Sequence, residues 1–240
     1  MANTALLNNV EHKHLRVDTR RRTGLGDDVM FALTFPAEFR NVQAHYPIVF
    51  RKTAEGGFQP IALFGFKDGQ NLFLDETRWD AAYLPLSIER QPFLIGVDGD
   101  EMMVHVDLDN PRVGTDVGES VFLESVFLEH GGTSEFLEHK NSVLLALFQG
   151  LQSTPAFVAA LLEHDLLESF TLDIELDDGT RSRLAGFYAI NEENLAGLDA
   201  ATVGRLHQDG YLQPIYMAIA SVSNFRALID RVNKIDAAAR

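Results

Sequence analysis

Three Asp-Gly dipeptides, Asp68-Gly69, Asp98-Gly99 and Asp178-Gly179, each stand between two short apolar runs. Asp-Gly supplies the positive backbone angles that tight hairpin turns require, so each pair of runs reads as two antiparallel strands. The pairs are FQPIALFGF at 58–66 with NLFLD at 71–75, FLIGV at 93–97 with MMVHVDL at 102–108, and FTLDIEL at 170–176 with RSRLAGFYAI at 181–190. Two further runs, 29-VMFALTF-35 and 46-YPIVFRK-52, are strand candidates, and Pro36-Ala37-Glu38-Phe39 reads as a short helical turn.

The pattern changes to helical spacing from about Glu119, breaks at Gly131-Gly132, and continues through FLEHKNSVLLALFQGLQ at 136–152. Ser153-Thr154-Pro155 predicts a fresh helix start, with Thr154 as N-cap and proline in the first turn. Helical spacing returns over 191–210, YLQPIYMAIA at 211–220 reads as a strand, and a terminal helix is expected from Ser221 or Ser223 to about Ala237. The repeated FLES and FLEH tetrapeptides at 122, 127 and 136 are unequally spaced and mark helix composition rather than a solenoid. The expected class is α+β: antiparallel, hairpin-rich β layers with a helical middle segment and a C-terminal helix. With 46% hydrophobic residues in 240, a sizeable core is expected. Residues 1–28 read as a loosely ordered basic arm, and 29–240 as one domain divisible into a β-rich lobe (29–118) and a mixed lobe (119–240).

The formal charge of −15 argues against binding a phosphate backbone. The basic cluster Arg20-Arg21-Arg22, with Lys13, His14 and Arg16 upstream, therefore reads as a solvated arm or one that docks on a protein partner. The absence of cysteine excludes disulfides, thiolate chemistry and cysteine-ligated metal. The first thirty residues lack an apolar signal core, and no run reaches the roughly eighteen apolar residues that span a bilayer. The cytoplasm is the simplest address, with secretion by a signal-peptide-independent route as the alternative.

The stretch 79-WDAAYLPLSIERQPF-93 holds the one tryptophan and two prolines that stiffen the backbone. Trp79, Tyr83 and Phe93 read either as core packing or as a surface for a ligand or partner. Arg90 reads as a clamp for an internal carboxylate or for one on a ligand. In 104-VHVDLDN-110, strand alternation would bring His105, Asp107 and Asp109 to one face, where an imidazole and two carboxylates could approach a cation. Completing an oxygenase-type iron site would need a second histidine, and His139 and His164 both lie in helical patterns. No nucleophile elbow, zincin motif, P-loop or dinucleotide fingerprint is present, and no cofactor is expected.

The segments 33-LTFPAEF-39, 46-YPIVFRK-52, 58–93, 184-LAGFYAINEENLAGL-198 and 209-DGYLQPIYMAIASVSNFRAL-228, in this order, resemble the SapC family of bacterial proteins. The resemblance implies an association with bacterial surface layers, or with outer-membrane nutrient receptors and halogenase-like flavoenzymes encoded nearby. It supplies no reaction and no catalytic motif. The permease label that some members carry does not suit a chain without an apparent membrane span. The expectation is a soluble, non-catalytic accessory or binding protein whose partner is another protein or a small ligand. The alternative is a metal-dependent oxygenase using His105 and Asp107.

Overall fold

The computed structural model describes residues 3–75, 78–98, 101–114 and 122–238. In chain order the elements are β1 (Thr4–Leu6), β2 (Arg16–Asp18), β3 (Phe31–Leu33), α1 (Phe39–Val42), β4 (Ile48–Lys52), β5 (Phe58–Leu63), α2 (Leu86–Glu89), β6 (Phe93–Asp98) and β7 (Glu101–Asp107). There follow β8 (Val113–Gly114), β9 (Leu123–Ser125), α3 (Glu135–Glu163), β10 (Leu167–Glu175), β11 (Arg181–Ile190), α4 (Glu192–Ala196), α5 (Ala200–Gln208), α6 (Leu212–Ser221) and α7 (Asn224–Ala238). Antiparallel sheets with a long middle helix and a C-terminal helix make the fold α+β, as the hairpin pattern predicts.

Two compact units emerge, and neither is a simple half of the sequence. The first comprises Met1–Asp28, Leu74–Asp80 and Leu86–Gln149, the second Val29–Phe73, Ala81–Pro85 and Gly150–Arg240. The expected division near residue 118 is thus replaced by an interleaved one.

In the first unit, the predicted hairpin forms between β6 and β7, pairing Phe93 with Val106 and Val97 with Met102; its turn centre, Gly99-Asp100, lies outside the described residues. The segment expected to be a loose arm supplies two strands. β1 pairs with β7, and β2 runs between β8 and β9. Leu15 and Val17 are buried in one core with Phe93, Val106, Val126, Phe127, Leu137 and Leu144. The reason for this correction is alternation: Leu15 and Val17 flank Arg16, giving even a polar segment one apolar face to bury.

The second unit is built on a five-stranded sheet in the order β10-β11-β4-β5-β3. Its β10–β11 hairpin follows expectation and carries a bulge between Phe170 and Leu172, opposite the stretch containing Gly186, whose φ is 89°. An interior glycine in a strand is the usual mark of such an irregularity. The first predicted hairpin is displaced. β5 pairs with the preceding β4 through Thr53–Gly57, where Thr53 N–H donates to the Gly57 carbonyl at 2.8 Å. After Asp68-Gly69 the chain forms no continuous strand, because Asn71 Oδ1 accepts from Phe73 N–H at 3.0 Å and turns the backbone.

Two helical expectations are also corrected. α3 runs unbroken through Pro155, and Ser153 and Thr154 donate their hydroxyls back to the Gly150 carbonyl at 2.9 and 2.8 Å instead of capping a new helix. Residues 212–221 form helix α6 rather than a strand. Ile215, Ala218 and Ser221 recur at helical spacing on its buried face, and Pro214 lies in the first turn, where no intrahelical N–H bond is lost. Ser221 Oγ accepts from Ile48 N–H at 2.8 Å and donates to the Ala218 carbonyl at 2.6 Å, tying α6 to the start of β4. α3 is long and apolar enough to cross a membrane by length and composition, with a mean hydropathy of 1.4 in one window, 39% of it buried. Phe157 and Leu161 of this helix are fully buried in the second unit's core.

Gly150 is the close-packing point of α3, since a Cβ there would come within 2.5 Å of the Phe35 ring. Gly204 in α5 has no such neighbour. Gly→Ala inside a helix ordinarily stabilises by about 0.5–1 kcal/mol. Gly204→Ala should do so. Gly150→Ala should instead destabilise by about 1–3 kcal/mol through overpacking. Urea unfolding of both variants reads the opposite signs; equal stabilisation would show that Phe35 yields without cost.

Candidate functional site

The polar centre of the first unit begins in the glycine-containing loop that follows β2. Gly24 and Gly26 both have φ of 83°, a conformation that side chains resist, and the curl they permit carries Asp27 inward to full burial. Asp27 there forms an ion pair with Arg112, which is only 2% exposed. Arg112 also donates to the carbonyls of Asp18 (3.0 Å) and Arg20 and reaches Gln91 Oε1 at 3.5 Å. Arg21 Nη1 donates to the other Asp27 oxygen at 3.0 Å and to the Ile88 carbonyl at 3.4 Å, while Arg22 N–H donates to Asp27 Oδ2 at 3.1 Å.

A third cation closes the group. Lys140, 6% exposed on the inner face of α3, donates from Nζ to the Glu89 carbonyl at 2.6 Å and lies 5.4 Å from the centre of the Phe136 ring. The neighbouring His139 reaches Glu89 Oε1 at 2.7 Å, so consecutive residues of α3 hold the side chain and the backbone at the end of α2. Burial, then the positive charge of Arg21, lowers the Lys140 amine from its ordinary 10.5 to about 8; Glu89 opposes this shift and Arg112 adds to it. Burial likewise pulls Arg112 below its ordinary value, with Arg21 adding to the shift and Asp27 and Asp18 opposing it. For Asp18, burial raises the pKa, but hydrogen bonds from the Arg20 side chain and backbone outweigh it and hold the carboxyl below its ordinary value.

The sequence-predicted residues are distributed as follows. Arg20 pairs with Asp18 and Arg21 with Asp27, so two of the three arm arginines face inward; Arg22 has an exposed side chain. Phe93 is fully buried in the first unit's core, which is the core-packing alternative rather than the surface one. Trp79 is half-buried and bridges to Leu74 in the same unit. Tyr83 belongs to the second unit, where its hydroxyl donates to the buried Glu38 at 2.9 Å and its carbonyl accepts from the Tyr46 hydroxyl. Arg90 donates to the Phe93 carbonyl at 2.7 Å; burial lowers its pKa, and Asp107 acts on it from a distance to raise it. The bond to a backbone oxygen replaces the expected carboxylate clamp.

The expected metal face does not assemble. β7 ends at Asp107, and Asp109 lies in the turn beyond it, with its N–H donating to Asp107 Oδ1 at 3.2 Å. The His105 ring packs so closely over Gly96 that a Cβ at 96 would sit 2.6 Å from it. Among the described residues no three His, Asp or Glu side chains are gathered to hold a metal. A cavity of about 620 Å³ lies over the β10–β11 hairpin, but its charged rim is self-paired, Arg183 with Asp173 at 2.6 Å and Arg181 with Glu175 at 3.1 Å.

Asp27, Arg112 and Lys140 were missed by the sequence reading. Lys140 had a legible signal, since it falls three residues after Leu137 and four before Leu144, on the apolar face of its helix.

A family model described as SapC matches residues 7–228. Comparison with curated proteins and with solved structures returns no match.

Removing one partner of a buried ion pair leaves an uncompensated charge and costs about 3–5 kcal/mol. Asp27→Ala should lose that much in urea unfolding; a loss below about 1 kcal/mol would place the pair in the class of solvent-screened bridges. Lys140 has a distinct pH signature. Its folded value of about 8 lies below the ordinary 10.5, so between those values the unfolded chain holds more protons and stability rises with pH. The stability of the wild type relative to Lys140→Met should therefore climb across that window; a flat difference would mean that the amine is not held in a low-dielectric site.

Proposed function

The chain belongs to the SapC family, and from that premise we propose that it is a non-catalytic accessory protein acting by contact with another protein, beside bacterial surface-layer or nutrient-uptake machinery. The family resemblance supports the setting. The observation that carries the contact reading is the end of the β6–β7 hairpin. Along this hairpin Phe93 and Val106 are buried, and Ile95 and Val104 pack against the same core. The next pair on that face, Val97 and Met102, is 56% and 50% exposed. The core-facing surface thus continues as directly opposed apolar side chains in solvent, an arrangement suited to a partner's apolar surface.

Of the arginines first assigned to partner docking, Arg20 and Arg21 are instead paired with Asp18 and Asp27. Deleting residues 1–28 would remove β1, β2 and Asp27 together, so truncation would report unfolding rather than binding.

The test uses surface substitutions in the full chain. Val97→Glu with Met102→Glu should leave the circular dichroism and melting temperature unchanged, while abolishing a crosslink to a defined protein of the native extract that the wild type makes. Retention of that crosslink by the folded double variant would remove this surface from consideration. Turnover of a defined small molecule by the purified protein would overturn the non-catalytic reading.

A further inference from the structure

We propose that Arg21 and Lys140 bind a small oxyanion, the carboxylate or phosphate group of a ligand, at the solvent-facing side of the buried charge cluster. This inference rests on the charges and donors of the cluster and is independent of the hairpin contact surface. Three cations, Arg21, Arg112 and Lys140, stand against two carboxylates, Asp27 and Glu89, while the more exposed Arg20 is paired with Asp18. One positive charge is in excess before His139, which faces Glu89, is counted.

The spare bonding capacity lies on two of the cations. Arg112 is spoken for by Asp27, two backbone carbonyls and Gln91, so it contributes field rather than donors. Arg21 uses one Nη for both Asp27 and the Ile88 carbonyl, which leaves Nε and the second Nη without a protein acceptor among the described residues. Lys140 uses one N–H of three on the Glu89 carbonyl. Arg21 and Lys140 donate to the consecutive carbonyls of Ile88 and Glu89 at the end of α2, which brings the two cations to the same helix terminus, and the charge of Arg21 acts on the Lys140 amine accordingly. Solvent reaches the cluster at Arg21 and Glu89, whose side chains are 14% and 22% exposed, while Lys140 is 6% exposed. An oxyanion between Arg21 and Lys140 would accept from both and relieve their repulsion; the planar arginine fork and the point-charge amine suit carboxylate and phosphate oxygens.

Binding an anion must also favour the protonated amine. The charged groups acting on Lys140 are Arg21 from the loop after β2, Glu89 from α2 and Arg112 from the turn after β7; Asp27 pairs with both arginines, and His139, on the same helix as Lys140, faces Glu89. Because the amine titrates near 8, anion affinity should fall as pH rises through that value, with proton uptake on binding.

The test is calorimetric titration of the purified full chain with sodium acetate and, separately, sodium sulfate, a stand-in for a phosphate group that does not titrate in this range. Sodium chloride at matched ionic strength is the control. The expected result is saturable binding of at least one oxyanion, with affinity falling across pH 8 and proton uptake in buffers of different ionisation heat. Preference for acetate identifies a carboxylate ligand, and preference for sulfate a phosphate ligand. Lys140→Met should remove the proton uptake, and both it and Arg21→Gln should weaken binding by about tenfold or more. Absence of saturable binding by either anion overturns the proposal. So does wild-type affinity that is indifferent to pH across 8, a readout that stands even if a variant fails to fold.

Discussion

The buried bond between Asp27 and Arg112 organises the first unit. A carboxylate and a guanidinium taken out of water gain less from each other than they lose in hydration unless their remaining lone pairs and protons are also satisfied. Here they are satisfied: Arg21 and the backbone of Arg22 complete Asp27, and the carbonyls of Asp18 and Arg20 complete Arg112. Every one of those partners except Arg112 itself lies in the first 28 residues. A polar, glycine-containing segment that would remain mobile on its composition is therefore held as part of the fold, with Leu15 and Val17 buried beside it.

That mechanism explains why some of the fold was legible in the sequence and some was not. The hairpins β6–β7 and β10–β11 depend on a local code, a turn dipeptide between alternating strands, and both were read correctly. Asp68-Gly69 carries the same code but is overruled by Asn71, whose side chain captures the backbone two residues on and ends the strand pattern. α6 was read as a strand because its residues are β-branched, aromatic and apolar, yet burial at Ile215, Ala218 and Ser221 follows a helical period. In the arm, the alternation of Leu15 and Val17 is a short local signal, but the partner that orders the loop after it, Arg112, lies far along the chain, and charge complementarity across that separation leaves no local pattern.

The candidate site divides in the same way. Phe93 and Tyr83 were correctly singled out as large, stiffly presented side chains, and both are used to build cores: Phe93 in the first unit, Tyr83 through its bond to Glu38 in the second. Arg90 was noticed as a charge among apolar residues, and its partner is a backbone carbonyl that no sequence pattern specifies. Lys140 had the same signature in plainer form, a cation within a helix's apolar stripe. In FLEHK the charged residues could equally form a solvated helix face, and only the position of Leu137 and Leu144 around Lys140 distinguishes the two.

Charge has a different meaning once its placement is known. The formal −15 is an average over a molecule that sequesters positive groups: Arg112 and Lys140 are buried, and Arg20 and Arg21 are turned onto internal carboxylates. At these buried positions a cation's field is screened less than in water, where much of the surface acid remains. In the proposed site, long-range repulsion and local anion recognition would thereby be separated. At a distance the protein repels anions, and within the cluster an oxyanion meets an excess of positive charge. Such an arrangement favours anions held at close range by directional donors over polyanions drawn in by a diffuse basic surface, which is the physical ground for distinguishing a small carboxylate or phosphate ligand from nucleic acid.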